Sequence, residues 1–380
     1  MALHPTLAGL PASPGAPCLS LYQATRLGHP ERQQNPIRFR NLLKQMEASL
    51  TNVDRVAGLD GTLKAFHELA RDEAFWRRPP AGLAVFGAPD YFRVVRLRHP
   101  VPDRAIVADS FHVKPLLRHT QAVDRYQILG LSLDSVRLFD ATGDAAEEIE
   151  PAAGVPRTMT DALGGELTEP HLTVAAYGKG VAGPAMRHGH GSRKDEVDID
   201  ADRFFRAVDR AVLEHHSRLV GLPLVLAALP EHQSRFRRLS HNPHLAPSAL
   251  ECNPDALAAD EIGRRAWEVI QPRLDARVGE IVDRFHAARS RERASDDIAA
   301  IATAAVAGRV GTLLIDADQQ RPGRIDRNTG QVAEGALDDP DVDDVLDDLA
   351  ELVLAAQGDV LVVPGTLMPT TSGCAALYRF

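Results

Sequence analysis

Cysteine is scarce. The chain has only Cys18, Cys252 and Cys374, far apart and in no C-x-x-C arrangement. That excludes a disulfide framework or a cysteine-based zinc cluster and points to reduced thiols in the cytoplasm. Long apolar runs are missing too: none approaches the roughly 20 residues that cross a bilayer, so no membrane association is expected. The opening MALHPTLAGLPASPGAPC has neither a basic n-region nor a sustained apolar stretch, and no signal peptide is expected from it. An excess of positive charge is also lacking. The formal net charge of −9 argues against indiscriminate nucleic-acid binding. A local basic patch remains free to act, because charges more than about 8 Å apart are largely screened.

What is present is an ordinary globular composition on 380 residues, more than one core accommodates, so two or three domains of about 100–150 residues are expected. There is no long internal repeat. Residues 1–124 read as an α+β domain. It has a short strand at Cys18–Leu21, helices opened by Asn35-Pro36 and capped by Thr62, and strands at 82–86, 91–97 and 105–113. Residues 125–250 start with strands at 126–131 and 136–139 and a Gly/Pro/Glu-rich connector. A strand at His171–Tyr177, a glycine- and histidine-bearing loop at 178–198, a periodic helix and the apolar run Pro223–Leu229 follow. That run has the look of a buried parallel strand, and the whole predicts three α/β layers. Residues 251–380 alternate helices (260–272, 274–293, and 298–307 capped by Asp296 or Asp297) with strands near 312–315, 360–363 and 375–380, an α/β domain. Asp338-Asp-Pro340 is expected to open a helix whose Val342, Val345, Leu346, Leu349 and Val353 face inward, with the aspartates of Asp338–Asp348 at its N-terminal end and wet side. Trp76 and Trp267 are expected in the core.

The chemistry concentrates in GPAMRHGHGSRKDE, residues 183–196. Glycines let a backbone approach a crowded partner, and the helix that follows, with Asp200 or Asp202 as its expected cap, is sharply two-faced. Phe204, Phe205, Val208, Ala211 and Val212 recur at core spacing, while Arg203, Arg206 and Arg210 occupy the other side. With Arg193 and Lys194 they can contact successive phosphates of RNA. The structural alternative is a solvated face paired with nearby acids, and Arg235, Arg237 and Arg238 invite the same comparison. His215-His216 are expected to answer the helix macrodipole.

In order and local sequence the chain resembles the archaeo-eukaryotic class I release-factor superfamily, which includes Pelota, and most of all its bacterial branch. Gly82–Gly87, Arg93–Arg96 and Val107–Val113 resemble the sheet that leads into the family's middle domain. Gln127–Gly130, Val136–Phe139, the long connector, the glycine loop and the basic helix resemble its RNase H-like middle domain. Ala302–Ile315 (ATAAVAGRVGTLLI) resembles the helix-to-strand step of its ribosomal-protein-like C-terminal domain.

The resemblance implies a protein that works on the ribosome, with ribosomal RNA and tRNA as partners, a possible protein partner through the C-terminal domain, and no cofactor. Active members carry Gly-Gly-Gln at the tip of the middle-domain loop, where this sequence has His188-Gly-His-Gly-Ser192. The catalytic glutamine is therefore not carried over. The Gly-Gly-Glu at 164–166 precedes the expected strand and reads as a turn. The catalytic candidates are His188, Gly189, His190, Gly191 and Ser192. Glycine N–H groups would serve as oxyanion donors, His190 or Ser192 would orient a water, and His188 would act as general base for peptidyl-tRNA hydrolysis. Two alternatives stand beside this one. The first is a ribosome binder without catalysis, acting in hibernation, recycling or quality control. The second is a metal-dependent phosphoesterase or nuclease using His188 and His190 with Asp195, Glu196 or Asp198, although a flexible His-x-His does not fix coordination geometry.

Overall fold

The computed structural model describes residues 10, 17–50, 58–97, 100–121, 124–164, 192–335 and 342–380, without side chains at 192–196. The chain divides into two compact units, Met1–Val123 with Asp275–Phe380, and Asp124–Leu274. Both are mixed α/β, with three sheets in the described residues of the first and one in those of the second.

In the first unit, β1 (Cys18–Ala24) pairs antiparallel with β2 (Gly82–Ala88) and β4 (Arg104–Ala108), and β3 (Tyr91–Leu97) extends the sheet beyond β2. The period of two sorts β1 cleanly. Leu19 and Leu21 pack with Phe39 and Met46 of α1 (Asn35–Leu50), Phe66 of α2 (Asp60–Arg71) and Trp76 of the short α3 (Glu73–Arg77). Cys18 and Tyr22 face the opposite core, beside Phe111 and the short α4 (Lys114–Thr120). Thr62 does not cap a helix as its sequence context suggests. It is buried within α2 and donates its hydroxyl to the carbonyl of Ala88 at 2.7 Å.

The second unit is a five-stranded sheet. β5 (Arg125–Leu131), β6 (Val136–Thr142) and β7 (Ala145–Ile149) form an antiparallel meander, and then come α5 (Met159–Leu163) and α6 (Ser192–Val212). A π-helical turn, Leu213–Ser217, leads through α7 (Arg218–Val220) to β8 (Leu224–Ala228), α8 (Pro230–Leu239) and β9 (Leu245–Glu251). The order is β7-β6-β5-β8-β9, with β8 parallel to both β5 and β9. The apolar run 223–229 is thus the buried parallel strand expected of it. Leu129, Leu138, Leu224 and Leu226 meet Phe204, Phe205 and Val208 of α6 on one face. On the other face, Ile128, Phe139 and Val225 meet Ile262, Ala266, Ile270 and Leu274.

Those last four residues lie on α9 (Ala259–Arg289), one helix of 31 residues with Pro272 inside it. The sequence suggests two helices broken there. Pro272 is exposed, while the buried stripe at Ile262, Ala266, Ile270 and Leu274 runs through the same turns. Its side chains, at about 1.5–3 kcal/mol for each large one, outweigh the ~3 kcal/mol a helical proline costs.

The last segment completes the first unit. β10 (Ala294–Ser295) precedes α10 (Ile298–Val306), which Asp297 caps by accepting the Ala300 N–H at 2.7 Å. β11 (Val310–Asp316), a small three-stranded sheet of β12 (Pro322–Ile325), β13 (Val332–Glu334) and β14 (Asp343–Asp344), α11 (Val345–Ala355), β15 (Asp359–Val363) and β16 (Cys374–Tyr378) follow. Leu313, Ile315, Val362 and Ala376 close over Tyr22, Phe86 and Phe111, so the first and last segments share one core. Leu314, Val363 and Ala375 cover Val278 and Phe285 of α9 on the reverse face. Among the described residues no helix is long and apolar enough to cross a membrane.

Candidate functional site

The basic helix starts earlier than its sequence suggests. α6 begins at Ser192, so Asp200 and Asp202 are interior residues rather than caps. Ser192 followed by Asp195 and Glu196 is itself a helix-start pattern, which the arginine periodicity downstream obscures. Ser192, Arg193 and Lys194 therefore belong to the helix. His188, Gly189, His190 and Gly191 lie outside the described residues, as do the expected strand at 171–177 and the acids at 338–341.

Arg203, Arg206 and Arg210 are exposed, opposite the fully buried Phe204, Phe205 and Val208. Two have carboxylates at the limit of ion-pair range. Arg203 lies 3.8 Å from Asp200, and Arg206 lies 4.0 Å from Asp202. Asp202 also faces Arg235 at 3.7 Å and Arg238 at 3.6 Å. The guanidinium ends of Arg203 and Arg206 are exposed, although Asp200 is buried and Asp202 half-buried, and at these long distances the two arginines remain open to other anions. Arg237 is different. It donates to the carbonyls of Ala246 (2.9 Å) and Ser248 (3.1 Å), tying α8 to β9, and is a structural brace.

Arg210 also walls a cleft of about 780 Å³ with Glu150, Arg157, Asp161, Glu214 and His215. Gly154 is required at its rim: its φ is +100°, and a Cβ there would stand 3.2 Å from His215 Nε2. Beside the cleft, Ala152 N–H donates to His216 Nε2 at 3.0 Å. Burial lowers the His216 pKa, overriding Asp140, which raises it. A ring nitrogen that accepts a hydrogen bond carries no proton, so His216 does not supply the positive charge expected of it at a helix end.

A second cluster departs from what its sequence suggests. The aspartates at the start of α11 are not on a wet side. Relative exposures are 4% for Asp343, 0% for Asp344 and Asp347, and 5% for Asp348. The reason is that the core shared by the two segments of the first unit closes over this face of the helix. Asp347 accepts the backbone N–H groups of Val113, at 2.9 Å, and Lys114, so a carboxylate from the last segment caps α4. Asp344 pairs with buried Lys114, whose ammonium also donates to the Gln319 carbonyl at 2.6 Å. Arg327 serves Glu351 and, at 3.9 Å, Asp348.

His112 is wholly buried beside them, its Nδ1 3.3 Å from Asp343 Oδ1 and 3.6 Å from Asp347 Oδ1. Burial pulls the His112 pKa down, but Asp347 and Asp343 outweigh it and raise it to about 9. Burial pushes Asp348 up to about 9 and Asp347 to about 7. The usable sequence signal was the i, i+4 repeat Asp343, Asp347, Glu351 flanked by apolar residues on both sides. A helix apolar beyond one stripe is buried all round, whatever charges it carries.

The comparisons with known proteins agree with the resemblance read from the sequence to the bacterial, Pelota-like release factors, over just under half of the chain. The particular match is to Bacterial archaeo-eukaryotic release factor family 3, whose model covers residues 125–309. No curated protein matches the chain. Among solved structures, the archaeal translation termination factor aRF1 shares 16% identity, with 98% of this chain and 94% of that one covered and a TM-score of 0.27. Archaeal Pelota, from a model of ribosome-bound Pelota and ABCE1, shares 15% over 76% and 72%, with a TM-score of 0.40. Dom34 of S. cerevisiae shares 10% over 79% and 73%, with a TM-score of 0.35.

Proposed function

We propose that this chain is a cytoplasmic, ribosome-associated release-factor-like protein acting in translation rescue, recycling or hibernation. The observation that carries the reading is the family match over residues 125–309, a span that contains the exposed arginine face of α6. In this reading Arg193, Lys194, Arg203, Arg206 and Arg210 contact ribosomal RNA or tRNA phosphates. The stretch ahead of them, with His188, Gly189, His190 and Gly191, and Ser192 on the helix itself, is directed at the ester that joins peptide to tRNA.

Unit two is proposed to be the RNase H-like middle domain. Support comes from its order, a three-strand antiparallel meander followed by two strands parallel to the first. The three-part division into 1–124, 125–250 and 251–380, with a ribosomal-protein-like last part open to a protein partner, is proposed alongside it.

Hydrolysis needs a positioned water and oxyanion donors, and positioning alone can supply about 7–11 kcal/mol of barrier reduction at its upper end. The absence of Gly-Gly-Gln favours a second reading, a ribosome binder without catalysis. Stalled ribosome–nascent-chain complexes separate the two. Peptide release by the native protein that is lost in His190→Ala and Ser192→Ala supports hydrolysis. Stable binding with no release supports the second reading.

A further inference from the structure

The buried acidic cluster holds more carboxyl groups than its permanent cations can pair. Asp343, Asp344, Asp347, Asp348 and Glu351 face Lys114 and Arg327, five carboxyl groups against two cations. Lys114 is committed to Asp344, and Arg327 to Glu351 and Asp348. Asp343 and Asp347 are left with His112. The hydrogen bonding there is incomplete: Asp343 Oδ2 and both ring nitrogens of His112 are buried without a hydrogen-bond partner. A polar atom left so costs roughly 1–3 kcal/mol, more if it is charged.

The three side chains come from two distant parts of the sequence, and one donor atom from each lies within 4.8 Å of the others. Donors on a tetrahedral ion with bonds of about 2.0–2.1 Å stand roughly 3.3 Å apart. The two distances from His112 Nδ1, 3.3 and 3.6 Å, fit that spacing. We propose that His112 Nδ1, Asp343 and Asp347 bind one divalent transition-metal ion, of the Zn²⁺ or Mn²⁺ kind, as a structural clasp between the residues that follow β4 and the start of α11.

Two carboxylates and a neutral imidazole balance a dication and leave no net charge in the site. Asp343 Oδ2 gains a partner by bidentate coordination. Asp347 is already held by the Val113 and Lys114 N–H groups, the outer support that metal-binding carboxylates ordinarily have. Imidazole with carboxylates suits zinc or manganese better than soft-ligand metals.

Because the site is closed to solvent, the ion must enter as the chain folds, and its binding then adds to folding stability. The test is to unfold the full chain in guanidinium with EDTA, then refold it at pH 8 with Zn²⁺, with Mn²⁺ or with EDTA alone. Desalting, metal analysis and thermal melting follow. The expected result is about one equivalent retained per chain and a Tm raised by several degrees, as for a ligand held far above its dissociation constant. Both effects should be lost in His112→Gln and in Asp343→Asn, each verified as folded by circular dichroism. Native protein that retains no metal and melts alike under all three conditions overturns the proposal. So does equal retention by a folded variant, which would put the metal elsewhere, as on the histidines of the 183–196 stretch. Because the readout is metal content and melting, its failure leaves the ribosome-binding reading untouched, and the reverse holds too.

Discussion

Lys114 shows what a single buried charge does in this molecule. It is 1% exposed and spans the first unit, joining the carboxylate of Asp344 and the carbonyl of Gln319. Removing one partner of such a pair leaves an uncompensated charge, so Lys114→Met should cost about 3–5 kcal/mol in urea unfolding. A loss within experimental error would mean that the Asp344 carboxyl is satisfied without it. His216 makes a pH prediction. Its folded pKa is depressed, by burial first, so its neutral form stabilises the fold above the unfolded value of about 6.5. That stability is lost as pH falls below this value and through the folded pKa. His216→Gln should flatten the stability profile below about pH 6.5 relative to the native chain, while an unchanged slope would place the titration elsewhere. Neither residue was legible as such. Lys114 sits in an unremarkable apolar context, and a paired histidine after a helix looks the same whether it accepts an amide proton or faces solvent.

At the level of elements, the periodic signals held where burial follows one face. β1, β2, β8 and the apolar face of α6 lie where the two-residue and three-to-four-residue spacings put them. They failed where tertiary packing overrode local chemistry. Pro272 looked like a stop, yet α9 passes through it. Pro272→Ala should restore a backbone bond and raise stability by up to about 3 kcal/mol by chemical denaturation. A decrease would show that the proline geometry is needed there. The acidic stretch before α11 looked wet because charge is usually a guide to exposure. Here the partners that bury it lie more than 200 residues away, at His112 and Lys114. For α6 the prediction concerns binding. Changing Arg203, Arg206 and Arg210 together to glutamine should weaken ribosome binding. It should also make the log–log salt dependence shallower by roughly 2–3, one increment for each lost phosphate contact. The fold should be untouched, since all three side chains are exposed.

For the molecule as a whole, the order of elements was readable but the association of distant segments was not. Nothing in Cys18–Ala24 announces that one face of that strand closes against residues 301–376, because one chain's pattern records how apolar a face is and not what covers it. The release-factor resemblance was readable for the opposite reason. It rests on the succession of hairpin, connector, loop and basic helix, which survives when individual residues change, and it falls within the span matched by the family model. The missing Gly-Gly-Gln leaves association with the ribosome, rather than hydrolysis, as the central claim. Cosedimentation of the native chain with purified ribosomes across a salt series tests it most directly. Stoichiometric binding near 50 mM salt that declines log-linearly as salt rises is the predicted result. Absence of cosedimentation at every salt concentration would contradict it.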